Sequence, residues 1–104
     1  MAIRVVIFPE GNHLVAQCLE HDIAAQGATI HELQDSFERT FVSHVVLAIE
    51  NGQKPLANLK KAPVRYWKLW ERAQKLQFPL PVRLPTKLHP PLPRVPKEAL
   101  MALA

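Results

Sequence analysis

Five histidines, a single cysteine and three glycines are the first places to look for chemistry in this chain of 104 residues, and their spacing supports none of the usual reactions. His21-Asp22 is the most suggestive pair, because a carboxylate can orient an imidazole. Adjacent residues rarely face one another in that way, and no second His or Cys stands at ligand spacing. Turn polarity is the simpler role for the pair, and no metal is expected. His44 follows Phe41 by three residues and precedes Ala48 by four, which predicts a hydrogen-bonded core or interface residue. His13, His31 and His89 read as surface positions. Cys18 has no cation near it in sequence, so nothing lowers its pKa toward a reactive thiolate. Gly11, Gly27 and Gly52 stand too far apart to cradle a phosphate. No cofactor is expected, and the chain does not read as an enzyme.

What remains is the chemistry of charged surfaces. Residues 1–52 carry two basic side chains, Arg4 and Arg39, against seven acids; residues 53–104 carry eleven basic side chains against Glu71 and Glu98. The formal net charge of +4 therefore conceals an acidic half and a strongly basic half, each suited to a different partner or to the other. In the basic half, Arg65, Lys68, Arg72 and Lys75 advance by three, four and three residues, one charged stripe on a helix. Tyr66, Leu69, Trp70 and Ala73 share another face, with Trp67 near the boundary. Such a helix can meet nucleic acid, an acidic protein or an anionic membrane surface, the last disfavoured because its apolar face is short, or can simply dock through its aromatics with its cations in water.

These residues need elements to position them. Ile3–Phe8 is β-branched and apolar, the profile of a strand, and Pro9 to His13 read as a five-residue turn. Leu14–Leu19 and Ile23–Gln26 continue an antiparallel meander through the acidic turn Glu20-His21-Asp22. Thr29 and Glu32 form a capping box. Ile30, Leu33, Phe37, Phe41, Val45, Ala48 and Ile49 then follow helical spacing up to the stop at Asn51-Gly52. Val42 and Val46 make the second half of this helix apolar on more than one face and, with Tyr66, Trp67 and Trp70, are the candidate oligomer contacts. Pro63 suits the start of a second helix, Pro63–Gln77. Seven prolines from Pro79 to Pro96 impose an extended course, in which Leu80–Leu84 could add one edge strand. Pro96–Ala104 reads as a final helical turn or two. The reading is thus an α+β fold: a meander of three strands, with a possible fourth at the edge, packed by one long helix. Three segments follow from it, 1–52, 53–78 and a proline-rich basic tail at 79–104. At this size oligomerisation is common. A lone cysteine in an apolar run suits a reducing cytosol, and no segment reads as a leader or a membrane span.

Over residues 3–52 the chain resembles the HicB family, the antitoxin half of bacterial HicA–HicB toxin–antitoxin pairs. The likeness rests on the opening strand, on Leu14–Leu19 with its acidic turn, and on Ile23-Ala-Ala-Gln-Gly-Ala-Thr-Ile-His-Glu-Leu33. It implies a partial ribonuclease-H-like fold, assembly as dimers or tetramers, toxin binding through that domain and operator DNA binding through a separate C-terminal module. No helix-turn-helix or ribbon-helix-helix pattern follows Gly52, which departs from the family. A Mg²⁺ nuclease on a ribonuclease-H-like fold would draw one carboxylate from the first strand, and Ile3–Phe8 holds none. Glu32, Asp35 and Glu38 read instead as acids favoured at a helix start.

The expectation is accordingly a non-enzymatic, cytoplasmic, HicB-like binding protein. Its acidic half, through Glu20, Asp22, Glu32, Asp35 and Glu38, would cover a basic RNA-cleaving toxin. The alternatives are a nucleic-acid-binding regulator using Arg65, Lys68, Arg72 and Lys75, and a homo-oligomeric module whose basic helix and tail lie over the acidic half of a neighbour.

Overall fold

The computed structural model describes residues 2–81 and 98–103. In chain order the elements are β1 (Ala2–Glu10), β2 (His13–Cys18), β3 (Ala24–Gly27), α1 (Ile30–Glu50), α2 (Val64–Arg72), β4 (Gln74–Pro81) and β5 (Glu98–Leu103). Among the described residues the strands form one sheet in the order β3-β2-β1-β5-β4, mixed because β5 runs parallel to β1. The fold is α+β, as expected, with a long helix on the sheet and a second, shorter helix.

From Ile3 to Phe8 β1 is apolar apart from Arg4, because both of its faces are covered. Ile3, Val5 and Ile7 join Leu33, Phe37, Phe41, Val45 and Ile49 of α1 in the larger core. Val6 joins Leu19 and Ala62 on the other face, where Phe8 and the aromatics of α2 pack against them. The five buried residues of α1 recur every fourth position, a stripe that keeps to the sheet for the whole helix.

The junction into α1 follows from three local features. The Thr29 hydroxyl accepts the Glu32 N–H at 3.1 Å, and Glu32 Oε2 accepts the Ala28 N–H at 3.1 Å. Gly27 lets the helix approach, since a Cβ there would stand 2.6 Å from the Leu33 nitrogen. At the far end Gly52 adopts φ +68°, its N–H donating to the Ile49 carbonyl and that of Gln53 to the Ala48 carbonyl. This is the paired closure of a Schellman motif.

The first turn is shorter than its sequence suggests. β1 runs on through Pro9 to Glu10, which pairs with His13 across a two-residue turn with Gly11 at φ +60°. Pro9 costs no ladder bond, because its nitrogen faces the β5 side at a level beyond Leu103, where β5 pairing has ended.

The C-terminal half differs more. α2 ends at Arg72, so Lys75 lies in β4 and not on the helix; pairing of Gln74 with Leu103 draws the chain into the sheet first. The edge strand is present but earlier than Leu80–Leu84, and residues 82–84 of that expectation lie outside the described residues. So do His89 and the proline-rich course of 82–97. The expected helical turns at the end are instead β5, inserted between β1 and β4. Glu-Ala-Leu-Met-Ala-Leu is rich in helix formers, but it is apolar on both faces, as a strand covered on both sides requires. Met101 lies in the α1-side core, and Ala102, beside Val6, is buried too.

Candidate partner interface

The five acids do not form one cluster. Glu20 is spent inside the fold: Oε1 accepts the Arg4 backbone N–H at 2.8 Å, and Oε2 accepts Arg4 Nε at 2.6 Å. The Arg4 guanidinium lies 4.7 Å from the centre of the Trp67 ring, with Lys61 Nζ at 6.0 Å. Trp67 Nε1 donates to the Ala62 carbonyl at 3.1 Å, which fixes the ring. A strand charge, a turn carboxylate and a helix aromatic thus bind α2 to the sheet. Sequence reasoning missed this set. The available signal was a lone arginine in an otherwise apolar strand.

Asp22 lies on the same turn. Its Oδ1 accepts from buried Gln17 Nε2 at 2.9 Å, while its N–H donates to the Lys60 carbonyl at 2.7 Å. The Ala62 N–H to the Leu19 carbonyl, at 3.0 Å, completes a backbone splice between the turn and the segment before α2. Inside this turn burial pushes the Cys18 thiol up to about 11, with Glu20 adding to the rise. His21 is half-buried, and burial holds its imidazole below the ordinary histidine range against the opposing charge of Glu20. Within the pair His21-Asp22, Asp22 bonds to Gln17, whereas His21 Nδ1 is buried with no hydrogen-bond partner among the described residues.

Glu32, Asp35 and Glu38 lie on the first turns of α1. Glu32 closes the cap, Asp35 stands 3.6 Å from exposed His31, and Asp35, Glu38 and Arg39 line an open depression of about 280 Å³. Glu32 and Asp35 lie just past the Gly27 end of β3, where exposed Glu10 closes the β1–β2 hairpin, and exposed Asp22 lies at the opposite end of β3, so exposed acids flank the β3 edge at both ends. Among the described residues no three His, Cys, Asp or Glu side chains come together as a metal site.

Of the basic stripe, Arg65, Lys68 and Arg72 are exposed on α2. Arg65 folds over its neighbour, its guanidinium 4.7 Å from the Tyr66 ring and Nη2 donating to the hydroxyl at 2.9 Å. Tyr66, Trp67 and Trp70 pack within the chain and stay partly exposed, as do Val42 and Val46 on α1. His44 is exposed and so does not belong to the core; it stands on the rim of a depression of about 160 Å³ between α1 and the following loop. That loop places Leu56 at φ +66°, a left-handed conformation held by burial of its side chain in the core.

The fold and surface define a small α+β domain whose β3 edge is flanked by acids and whose second helix is basic. No protein-family model matches the chain, and no curated protein or solved structure matches it significantly. Among the described residues no helix is long and apolar enough to cross a membrane.

Proposed function

We propose that this chain is a HicB-like, non-enzymatic binding protein of the cytoplasm, the antitoxin of a toxin–antitoxin pair or a regulator derived from one. The observation that carries the reading is the acidic flank of the β3 edge: exposed Asp22 precedes the strand, exposed Glu32 and Asp35 follow it and exposed Glu10 stands near its Gly27 end, while Arg4, one of only two Lys or Arg side chains in residues 1–52, is held by Glu20. Such a surface attracts a basic protein, steers it on approach and can occupy the cations with which an RNA-cleaving toxin holds its substrate. The capped strand-to-helix junction at Gly27–Thr29 and the strand-strand-strand-helix order support the family reading.

The test is co-expression of the tagged full chain with the product of the adjacent reading frame, followed by affinity purification. A stoichiometric basic partner whose ribonuclease activity is blocked in the complex is the expected result. No complex at micromolar concentration refutes the reading. Exposure of Arg65, Lys68 and Arg72 on one face of α2 favours a second reading, contact with nucleic acid. In that case retention falls steeply with salt, and Arg65→Glu with Lys68→Glu abolishes it.

A further inference from the structure

β3 is four residues long and, among the described residues, pairs on one side only. Its register with β2, together with the bond from the Cys18 N–H to the Ile23 carbonyl, turns the backbone groups of Ala25 and Gly27 toward β2. Ala24 and Gln26 therefore direct their N–H and C=O groups outward, and no described residue pairs with them.

The two edges of the sheet are built differently. Natural edges are guarded by proline, lysine, a bulge or a covering segment. β4 has Lys75, Pro79, Pro81 and a register break between Gln74 and Phe78. β3, Ala-Ala-Gln-Gly, has neither charge nor proline, and its register with β2 is unbroken. Beside it, on the face that carries α2, lies an open depression of about 430 Å³ bordered by Glu10, Val15, Gln17, Ala24, Gln26 and Tyr66. An added strand would set alternate side chains into that depression while its backbone bonded to the edge.

Charge decides the occupant. Asp22 precedes the edge, Glu32 and Asp35 follow it, and Glu10 stands on the depression's rim, all four exposed. A second copy would bring these acids together. A four-residue pairing also falls far short of the roughly 1,000 Å² that a stable dimer interface buries. A basic segment meets complementary charge at both ends.

We propose that the outer edge of β3 accepts an extended, basic segment of a partner protein as an added strand. The inference rests on the reading of the acidic half as a partner-binding surface and names the element that surface uses. In the test, uniformly ¹⁵N-labelled full-length protein is titrated with the peptide acetyl-Lys-Val-Thr-Val-Lys-Val-amide while amide shifts and exchange rates are followed by NMR. The Ala24 and Gln26 amides are expected to shift and to exchange at least about tenfold more slowly. The peptide with glutamate for both lysines leaves them unchanged. Gln26→Pro removes an outward N–H without touching the β2 ladder and abolishes the response; Ala24→Pro does the same where Gln26→Pro fails to fold.

Unperturbed Ala24 and Gln26 amides at about 1 mM peptide, or shifts confined to α2, overturn the proposal. If the full chain captures a basic partner and Gln26→Pro captures it equally well, the edge proposal falls and the antitoxin reading stands. If the peptide adds at β3 and no basic partner is captured, the edge proposal stands and the antitoxin reading falls.

Discussion

Replacing Gly27 by alanine tests whether the sheet-to-helix junction is as tight as its geometry implies. The added Cβ would lie 2.6 Å from the Leu33 nitrogen and 2.9 Å from its Cα. Both are backbone atoms in the first turn of α1, so no side chain can swing away; the helix start itself must move. Alanine also restricts the unfolded chain, which by itself stabilises by about 0.4–1 kcal/mol. Overpacking of this kind costs about 1–3 kcal/mol, so the net expectation is a loss of about 1–2 kcal/mol. With a urea slope of about 1–1.5 kcal/mol/M for a chain of this size, the midpoint should fall by about 1 M in equilibrium unfolding followed by circular dichroism. Gly52→Ala provides the contrast. Nothing lies within 4 Å of its position, and its cost arises from φ +68° alone, about 1–2 kcal/mol. Gly27→Ala should therefore shift the backbone amides of Glu32 and Leu33, whereas Gly52→Ala should shift those of the last turn of α1. A Gly27→Ala midpoint equal to or above the parent would refute the close-approach argument.

Thr29→Ala removes the acceptor for the Glu32 N–H at an exposed cap and should cost about 1 kcal/mol, read as a urea midpoint shift. Raised above its unfolded value of 9.0, the Cys18 pKa of about 11 gives stability that is present below pH 9 and lost as pH rises toward 11; Cys18→Ala should flatten that alkaline slope. The depressed His21 pKa acts at the other end: its stabilisation is present above the unfolded value of 6.5 and lost as pH falls below it, and His21→Gln should remove that part of the acid slope. Arg4 and Glu20 side chains keep 41% and 27% exposure, so solvent screens their pair; a double-mutant cycle of Arg4→Met with Glu20→Gln should give a coupling of about 1 kcal/mol that shrinks in high salt.

The parts of the fold legible in sequence are those with short-range causes. Thr29 and Glu32 act across three residues, the buried stripe of α1 repeats every four, and Gly52 stops the helix by its own φ. The C-terminal strand has no such local cause. Its residues favour helix, and only parallel pairing with β1, some ninety-six positions earlier, makes Glu98–Leu103 a strand. The same distance in sequence hides the early end of α2, because the pairing of Gln74 with Leu103 depends on β5 being in place. Of the partner surface, the acids were legible as charges but not as bonds. That Glu20 belongs to Arg4, while exposed Asp22 stands at one end of the β3 edge and exposed Glu10, Glu32 and Asp35 at the other, follows from the strand order and registers.

That order also changes the meaning of the charge division. An acidic half and a basic half separated at residue 52 suggest a domain and an arm that could swing onto a neighbour. The structure threads them through one sheet: β5, from the basic half, lies against β1 of the acidic half, and β4 forms the edge beyond it. Removing residues 79–104 would take a strand from beside β1 and expose Val5, Val6 and Ile7, so a change in assembly after that deletion would report broken folding as readily as a lost arm. The surface is divided instead by edge. β4 is interrupted by Pro79, Pro81 and a register break, and α2 presents Arg65, Lys68 and Arg72, whereas β3 has none of these features and, among the described residues, is bracketed by acids. A sheet that blocks one edge and leaves the other open has a direction. An incoming basic strand is drawn toward Ala24–Gly27 by the same charges that would repel a second copy of the chain.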